Sequence, residues 1–301
     1  MLLKIRYLAF VQFMVMVFAA NSPALATTFF EQKFVCPIGG EKFKASVVGS
    51  NSTFGQRPDG KPYSPMAVIR YTECPSNGFP IFQKDFTARD IAILTPIIAS
   101  DEYQQMRTAE TQRFRVWYLK KAIGASAADQ ASALMVAGWE ADGDAALKAR
   151  YQEAFVDAVA AIIREDDPET WFWLNLRAAN ALRELGRFDD ALHRFGEIAP
   201  YISSVVEDDQ RSDIEAYLDD LTTLVKEGNS ASEPVGLVPP RYGAVRCVMK
   251  QMELSQSEKN ICDTEEMMAS ISRFSVDTDD GQLTGAEAIK YLESRYRDHS
   301  E

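Results

Sequence analysis

The feature that most constrains the fold of this 301-residue chain is a series of apolar stripes at helical spacing between residues 87 and 228. Apolar side chains recur three and four positions apart, the spacing that places them on one face of a helix. Thr87-Ala-Arg-Asp90 is a capping-box variant that predicts the first helix start. The stripes indicate a helical core, and we do not interpret them as a cofactor site. The stripe positions are Tyr151, Phe155, Ala158, Val159, Ile162 and Ile163, then Trp171, Leu174, Ala178, Ala181, Leu182 and Leu185, and then Ile214, Tyr217, Leu218, Leu221, Leu224 and Val225.

A β-type pattern precedes the helical region. Residues 27–86 contain strand-like segments at 33–36, 42–48 and 68–73, with a turn-rich stretch over 51–65. Alternating apolar residues bounded by Gly, Pro, Asn and Asp are typical of strands joined by turns. We therefore expect a small β-ribbon with a long exposed loop.

These patterns divide the chain into five segments. Residues 1–26 are a predicted signal peptide, 27–86 the β-ribbon and 87–228 the helical domain. Gly, Asn, Ser and Pro dominate 229–240, which predicts a linker. The remainder, 241–301, predicts a small C-terminal helical module. The expected fold class is mainly α, with a small β-ribbon before the helices and a small helical module after them.

The first segment has the three parts of an export signal. Lys4 and Arg6 precede an uncharged apolar run, and Ala24-Leu25-Ala26 supplies the small residues that a signal peptidase reads. The alternative is an uncleaved membrane anchor, but the apolar run of about 13 residues is shorter than the ~20 that span a bilayer. We expect cleavage after Ala26, no transmembrane anchor in the mature chain, and a periplasmic or secreted protein.

Charge and composition exclude several functions. The net charge is −12, and the predicted signal peptide contributes only basic residues, so the mature chain is more acidic still. An acidic surface without a basic cluster argues against nucleic acid as a partner. The two histidines, His193 and His299, are too few for a zinc site with three histidines.

Four cysteines indicate disulfides in an exported chain. Cys36, Cys74, Cys247 and Cys262 allow three connectivities. Pairing nearest neighbours would join Cys36 to Cys74 and Cys247 to Cys262, one bridge near each end of the chain.

The first two cysteines lie in related motifs. Cys36-Pro-Ile-Gly-Gly40 and Cys74-Pro-Ser-Asn-Gly78 together resemble a zinc ribbon in which Gly39 and Asn77 replace the second cysteine of each knuckle. Two thiolates cannot close a tetrahedral zinc site. The resemblance implies that the two knuckles face each other, so a disulfide can replace the metal. The alternatives are free thiols, or a zinc site completed by Asp or Glu.

A second resemblance falls in the helical region. The segment from Trp171 to Phe195 resembles a tetratricopeptide repeat, because Ala179, Gly186 and Ala191 occupy its small-residue and turn positions. A weaker unit precedes it, from Ala133 to Phe155. The resemblance implies helical hairpins that stack side by side and leave a groove.

Such a groove is a binding surface for a peptide or a partner helix. The candidate contacts are the polar residues Asn175 and Asn180 on the first helix of the clearer repeat, which we expect to be exposed. The expected partner is another envelope protein or peptide.

The order of the two motifs also resembles the DUF2225 family, in which Cys-Pro knuckles precede tetratricopeptide-like helices. The similarity spans roughly residues 34–200. It implies an exported, metal-free relative, because two of the knuckle cysteines are missing and an export signal is present. The family implies no activity.

A candidate calcium loop lies near the C-terminus. Asp277, Asp279, Asp280, Thr284 and Glu287 resemble the oxygen ligands of an EF-hand, with Gly281 at the turn. The loop is one residue short between Asp279 and Asp280. The alternative is an Asp-Gly turn before a capped helix, with no cofactor at all.

The sequence therefore favours an exported, non-enzymatic interaction or scaffold protein. One alternative is an envelope hydrolase that uses the paired carboxylates Asp59 and Glu73, because long irregular loops often carry function. The other alternative is a calcium-responsive binding module.

The calcium hypothesis predicts that Ca²⁺ raises the melting temperature of the protein and that Asp280→Ala abolishes the shift. A bound cation stabilises the folded state by a free energy that grows with the logarithm of its concentration over its dissociation constant. Thermal unfolding with and without millimolar Ca²⁺ measures both effects. An equal shift in the Asp280→Ala variant would contradict a site at this loop.

Overall fold

The computed structural model describes residues 27–279 and 281–298, so the predicted signal peptide and Asp280 lie outside the described residues. The fold is mainly α, as predicted, with a two-stranded ribbon before the helices and a second strand pair before the last helix. The strands are β1 Thr28–Val35, β2 Lys42–Ser50, β3 Ser275–Thr278 and β4 Gly281–Thr284. The helices are α1 Ala88–Ala99, α2 Asp101–Ala109, α3 Gln112–Ala122, α4 Ala127–Glu140, α5 Ala145–Ala160, α6 Pro168–Glu184, α7 Phe188–Ile198, α8 Ile202–Val205, α9 Arg211–Lys226, α10 Pro240–Met249, α11 Gln256–Cys262, α12 Glu265–Ser272 and α13 Gly285–Asp298.

The ribbon is an antiparallel pair. Phe29 lies opposite Val48, Lys33 opposite Lys44, and Phe34 opposite Phe43. The last two rings stack with centroids 5.6 Å apart. Because side chains alternate between the faces of a strand, the odd-numbered residues of β1 share one face and the even-numbered residues the other.

The third strand predicted over 68–73 is wrong. Only Glu73 pairs as a strand residue would, through an isolated bridge with Pro80. The side chain of Gln112 occupies the place of a partner strand beside Tyr71: it accepts from the Tyr71 amide at 2.6 Å and donates to the Tyr71 carbonyl at 2.8 Å. A helix side chain therefore satisfies backbone groups that a sheet would otherwise pair.

Polar caps fix the helix starts. The Thr87 hydroxyl accepts from the Asp90 amide, and the Asp90 carboxylate accepts from the Thr87 amide, which confirms the predicted capping box. The Asp144 and Asp167 carboxylates cap α5 and α6, each by accepting from the amide three residues further on. Each cap satisfies an amide that has no partner within its helix. Gly186 turns the chain after α6 with a φ of +75°, a conformation that favours glycine.

The helices pack as consecutive hairpins, α4 with α5 and α6 with α7, around one apolar core. Ala178 and Ala179 are fully buried, so the backbone of α6 approaches its neighbours closely. Burial and a hydrogen bond to Glu110 raise the pKa of Tyr151 to about 12. Within the described ranges, no helix is both long enough and apolar enough to span a membrane.

Two disulfides confirm the nearest-neighbour pairing. Cys36 is bonded to Cys74 and Cys247 to Cys262. The first bridge lies in a second core with Phe79, between the ribbon and helices α1–α3. The cysteines of the two knuckles are therefore joined to each other, as expected if a disulfide replaces the metal.

The segment predicted as a linker, 229–240, is packed against its neighbours. Val235 and Val238 are buried, with 2% and 8% of their surface exposed. The Tyr63 hydroxyl donates to the Glu233 carboxylate at 2.9 Å, so the segment also contacts the loop after the ribbon. Its turn-forming composition reflects a tight irregular path over the helices and not freedom of movement.

The disulfide between Cys36 and Cys74 closes a longer loop than the one between Cys247 and Cys262. Its loss is therefore expected to lower the free energy of unfolding more. The sequence separations are 38 residues and 15 residues. Replacing Cys36 and Cys74 together by Ser is expected to lower the free energy of unfolding by about 2–4 kcal/mol. Urea unfolding measures the change, with the Cys247/Cys262 double variant as the comparison. A larger loss in the comparison variant would contradict the loop-length argument.

Candidate functional site

The ribbon arm, defined as β1 and β2, exposes large apolar side chains. Phe29, Phe30 and Val35 are 57%, 53% and 59% exposed. All three belong to β1, in which only Phe34 is partly buried. In the described part of the chain, no third strand lies beside either edge of this sheet. Exposed aromatic residues on an open strand edge are typical of a surface that pairs with another chain.

The charges of the ribbon arm are unevenly paired. Lys44 donates to Glu31 at 2.6 Å, across the diagonal of the strand pair. Lys33 lies directly opposite Lys44 and has no ion pair among the described residues. Like charges on directly opposite positions destabilise a strand pair. A carboxylate supplied beside Lys33 would relieve this repulsion.

One loop of the chain lies across three helices of the helical body. We call residues 55–63 the docked loop. The Trp139 indole donates to the Asp59 carbonyl at 3.2 Å, and the Tyr217 hydroxyl donates to the Pro58 carbonyl at 3.4 Å. Arg177 donates to that same carbonyl. Three helices, α4, α6 and α9, therefore hold one turn of the loop.

A buried ion network fixes the docked loop. Arg57 is 6% exposed and donates to Asp59 and to Asp142, the latter at 2.8 Å. Lys61 and Lys148 also contact Asp142. Burial raises the pKa of Asp142, but hydrogen bonds and positive charge from Arg57, Lys148 and Lys61 outweigh it and hold that pKa well below its usual range. Asp142 is thus an anion that joins the loop to the helices.

The expectation that Asn175 and Asn180 are exposed is wrong. They are 7% and 0% exposed. The Asn175 amide donates to the Trp171 carbonyl, and Asn180 accepts from Arg183 and donates to Glu184. Buried amides with these partners stabilise α6 and offer no atoms to a ligand. The stripe pattern missed this because α6 is enclosed on more than one side, so polar residues off the stripe are buried too.

A second buried carboxylate joins the C-terminal module to the body. Glu258 is fully buried and accepts from Asn229, from the Val235 amide and from Arg246. Burial raises the pKa of Glu258, but these bonds and the one from the Ser255 amide hold it below its usual range. Every oxygen of this carboxylate is used within the protein, so its role is structural.

The carboxylates proposed as a hydrolytic pair lie in separate networks. Asp59 is bonded to Arg57, whereas Glu73 accepts from Arg115 at 2.7 Å and from Gln112 at 2.6 Å. The two share no partner among these contacts. Each carboxylate is therefore held by its own arginine, Asp59 by Arg57 and Glu73 by Arg115.

The candidate calcium residues lie on the hairpin β3–β4 and at the start of α13. Asp277 lies opposite Gln282, which donates to its carboxylate at 3.2 Å. Glu287 follows in the first turn of α13. Asp280 lies outside the described residues, and among the rest no cluster of three or more potential metal ligands is found. Calcium binding at Asp277, Asp279, Asp280, Thr284 and Glu287 stays a prediction.

No family model, no curated protein and no solved structure matches this chain. The resemblance to the DUF2225 family therefore stays a prediction, and the site is judged on its own geometry. That geometry singles out the ribbon arm, which the sequence reasoning missed. The signal for it is the segment Thr28–Val35, where phenylalanines fall on both faces of one strand and a lysine and a glutamate flank Gln32.

Asp142→Asn is expected to destabilise the protein by about 2 kcal/mol at pH 7, because the buried Arg57 and the partly buried Lys61 and Lys148 lose their shared anion. The folded-state pKa of Asp142 is depressed, so its contribution is present above about pH 4 and is lost as the pH falls below that value. Urea unfolding from pH 7 to pH 3 measures this difference.

The matched control is Asp166→Asn, at an exposed carboxylate. It is expected to change the free energy of unfolding by less than about 0.5 kcal/mol. A difference between wild type and Asp142→Asn that stays constant on acidification would contradict the assigned role of Asp142.

Proposed function

We propose that this chain is an exported, non-enzymatic interaction protein of the cell envelope that binds its partner through the ribbon arm. The single observation that carries the proposal is the open edge of β1, where Phe29, Phe30 and Val35 are each more than half exposed. A strand edge binds by adding a further strand, and the exposed side chains give the pairing its specificity.

The chemistry of the arm defines the chemistry of its partner. Lys33 lacks an anion among the described residues, and the exposed Phe29 and Val35 lie on its face of the strand, toward the two ends of β1. A fitting partner is an extended strand that places a carboxylate opposite Lys33 and apolar side chains at either end. Cross-strand pairs of these kinds are individually favourable.

The position of the docked loop also supports this choice. The loop contacts the helical body through Arg57, Lys61 and the turn at Pro58, and Asp142 anchors the loop by ionic contacts. A peptide would have to displace buried ion pairs to enter. The ribbon arm needs no such displacement, since no further strand of the described residues covers its edge.

The proposed compartment is the periplasm or the extracellular space. Both disulfides are compatible with an extracytoplasmic protein, since disulfides persist where the environment is oxidising. The predicted signal peptide supports the same location. Cleavage after Ala26 would leave Thr27 one residue before β1, which places the arm at the start of the mature chain.

A photo-crosslinking amino acid at Phe29 is expected to capture a protein partner in living cells. The matched control is the same group at Ile163, which is 60% exposed on the helical body, close to the 57% of Phe29. Crosslinked species that form from position 29, and that Lys33→Glu weakens, are the expected result. Gel shifts and mass spectrometry of the tagged protein measure them.

Equal crosslinking from positions 29 and 163 would contradict the ribbon arm as the specific surface. Absence of crosslinks at position 29 in cells that express the protein at native abundance would contradict the proposed function itself.

A further inference from the structure

The strand β1 is nearly self-complementary. One face of the strand carries Phe29, Glu31, Lys33 and Val35 in that order. Gln32 lies at the centre of the strand, on the other face. A second copy of β1 can be laid antiparallel to the first with the two Gln32 residues opposite each other. Residue 31 then faces residue 33, residue 30 faces residue 34, and residue 29 faces residue 35. These facing residues, 29–31 of one copy and 35–33 of the second copy, are chemically matched.

The matches on the first face are ionic and apolar. Glu31 of one copy faces Lys33 of the other, twice over because the arrangement is two-fold symmetric. Phe29 faces Val35, so side chains that are 57% and 59% exposed cover each other. Opposite charges and apolar pairs on facing positions both favour strand pairing.

The other face is matched as well. Phe30 of one copy faces Phe34 of the other, and Phe34 already stacks on Phe43 within its own chain. This pairing would extend the row of aromatic rings to three strands, from Phe43 through Phe34 to Phe30 of the second copy, which lies opposite Val47 in its own chain. It also covers Phe30, which is 53% exposed in the single chain. Aromatic cross-strand pairs are among the more favourable ones.

The pairing also relieves the one unfavourable contact of the ribbon arm. Within one chain Lys33 lies opposite Lys44, and Glu31 is bonded to Lys44. In the pair, Lys33 gains the Glu31 carboxylate of the second copy on its open side. Charges of opposite sign then alternate across the sheet from Lys44 to Glu31 to the facing Lys33.

We propose that two copies of this chain pair through the β1 edges in an antiparallel register centred on Gln32, to form a four-stranded sheet. This deepens the proposed function, on whose ribbon arm it rests, by naming the partner strand. Each strand pair contributes few residues, so the buried area falls below the ~1,200 Å² of a standard interface and the dimer is weak and concentration-dependent.

The geometry keeps the two acidic bodies apart. β1 has 8 residues, and an extended strand rises about 3.3 Å per residue. Antiparallel pairing places the two helical bodies at opposite ends of the new sheet. Repulsion between the negative bodies therefore opposes the contact little at physiological ionic strength, where the screening length is about 8 Å.

Sedimentation velocity of the mature chain over a range of concentrations tests the pairing. Wild type is expected to show a reversible monomer–dimer equilibrium. Lys33→Glu and Glu31→Lys are each expected to weaken the dimer about tenfold, since each creates two like-charge pairs. The double variant Glu31→Lys with Lys33→Glu is expected to restore the wild-type equilibrium to within about threefold.

The matched control is Lys84→Glu, a reversal at an exposed lysine outside the ribbon arm. It is expected to leave the dimer unchanged. Lys33→Glu places a carboxylate opposite Lys44 within the chain, so the ribbon itself is not weakened. Circular dichroism and the melting temperature check that each variant is folded.

A cysteine at the two-fold axis gives a second measurement. The native cysteines are all in disulfides, so Gln32→Cys introduces a single free thiol. Facing residues of an antiparallel pair have Cα atoms about 4.5–5.5 Å apart, within the range a disulfide spans. Mild oxidation is expected to give a covalent dimer from Gln32→Cys and none from the control Ser46→Cys on β2.

The outcomes separate this inference from the proposed function. A wild type that stays monomeric at all concentrations, while position 29 crosslinks to a different protein in cells, overturns the self-pairing and leaves the ribbon arm as an interaction surface. Failure of the charge swap to restore the dimer overturns the register. A dimer that responds to both single variants and to the swap supports it.

Discussion

The contact on which the rest of the structure depends is the ionic anchoring of the docked loop to the helical body. Asp142, in the turn between α4 and α5, binds Arg57 and Lys61 of the loop and Lys148 of α5. Buried ions are costly unless they are paired, so this cluster holds together only when loop and helices are assembled. It thereby ties the N-terminal third of the chain to the hairpins.

The same contact decides which surface is left for other molecules. A stack of helical hairpins ordinarily offers its groove to a peptide, but here Trp139, Arg177 and Tyr217 hold the turn at Pro58. The first disulfide and its apolar surroundings fix the base of the ribbon. The outer edge of β1, on the side away from β2, has no further strand beside it in the described residues. The exposed ribbon arm, where the interaction is proposed, and the contacts of the docked loop with the helices both follow from this arrangement.

The candidate site shows how far local patterns lead. Asn175 and Asn180 lie outside the apolar stripe of α6, which is the ordinary sign of an exposed position. They are buried because α6 packs against helices on both sides of the sequence, α5 and α7, and because Arg183 and Glu184 also lie inside. The composition of residues 229–240 indicated a linker, yet Val235 is buried and Glu258 binds its amide. In both cases a distant contact decided the environment.

The sequence by itself determined the elements whose causes are local: the apolar stripes of the helices and the capping box at Thr87. Spacing and hydrogen bonds within a few residues suffice for these. Only contacts between distant parts of the chain place Glu73 beside Arg115 and hold the docked loop against the helices. They also leave β1 without a further strand beside it among the described residues. Arg57 and Asp142 are 85 positions apart, and Glu73 and Arg115 are 42 apart, separations that no short-range pattern encodes.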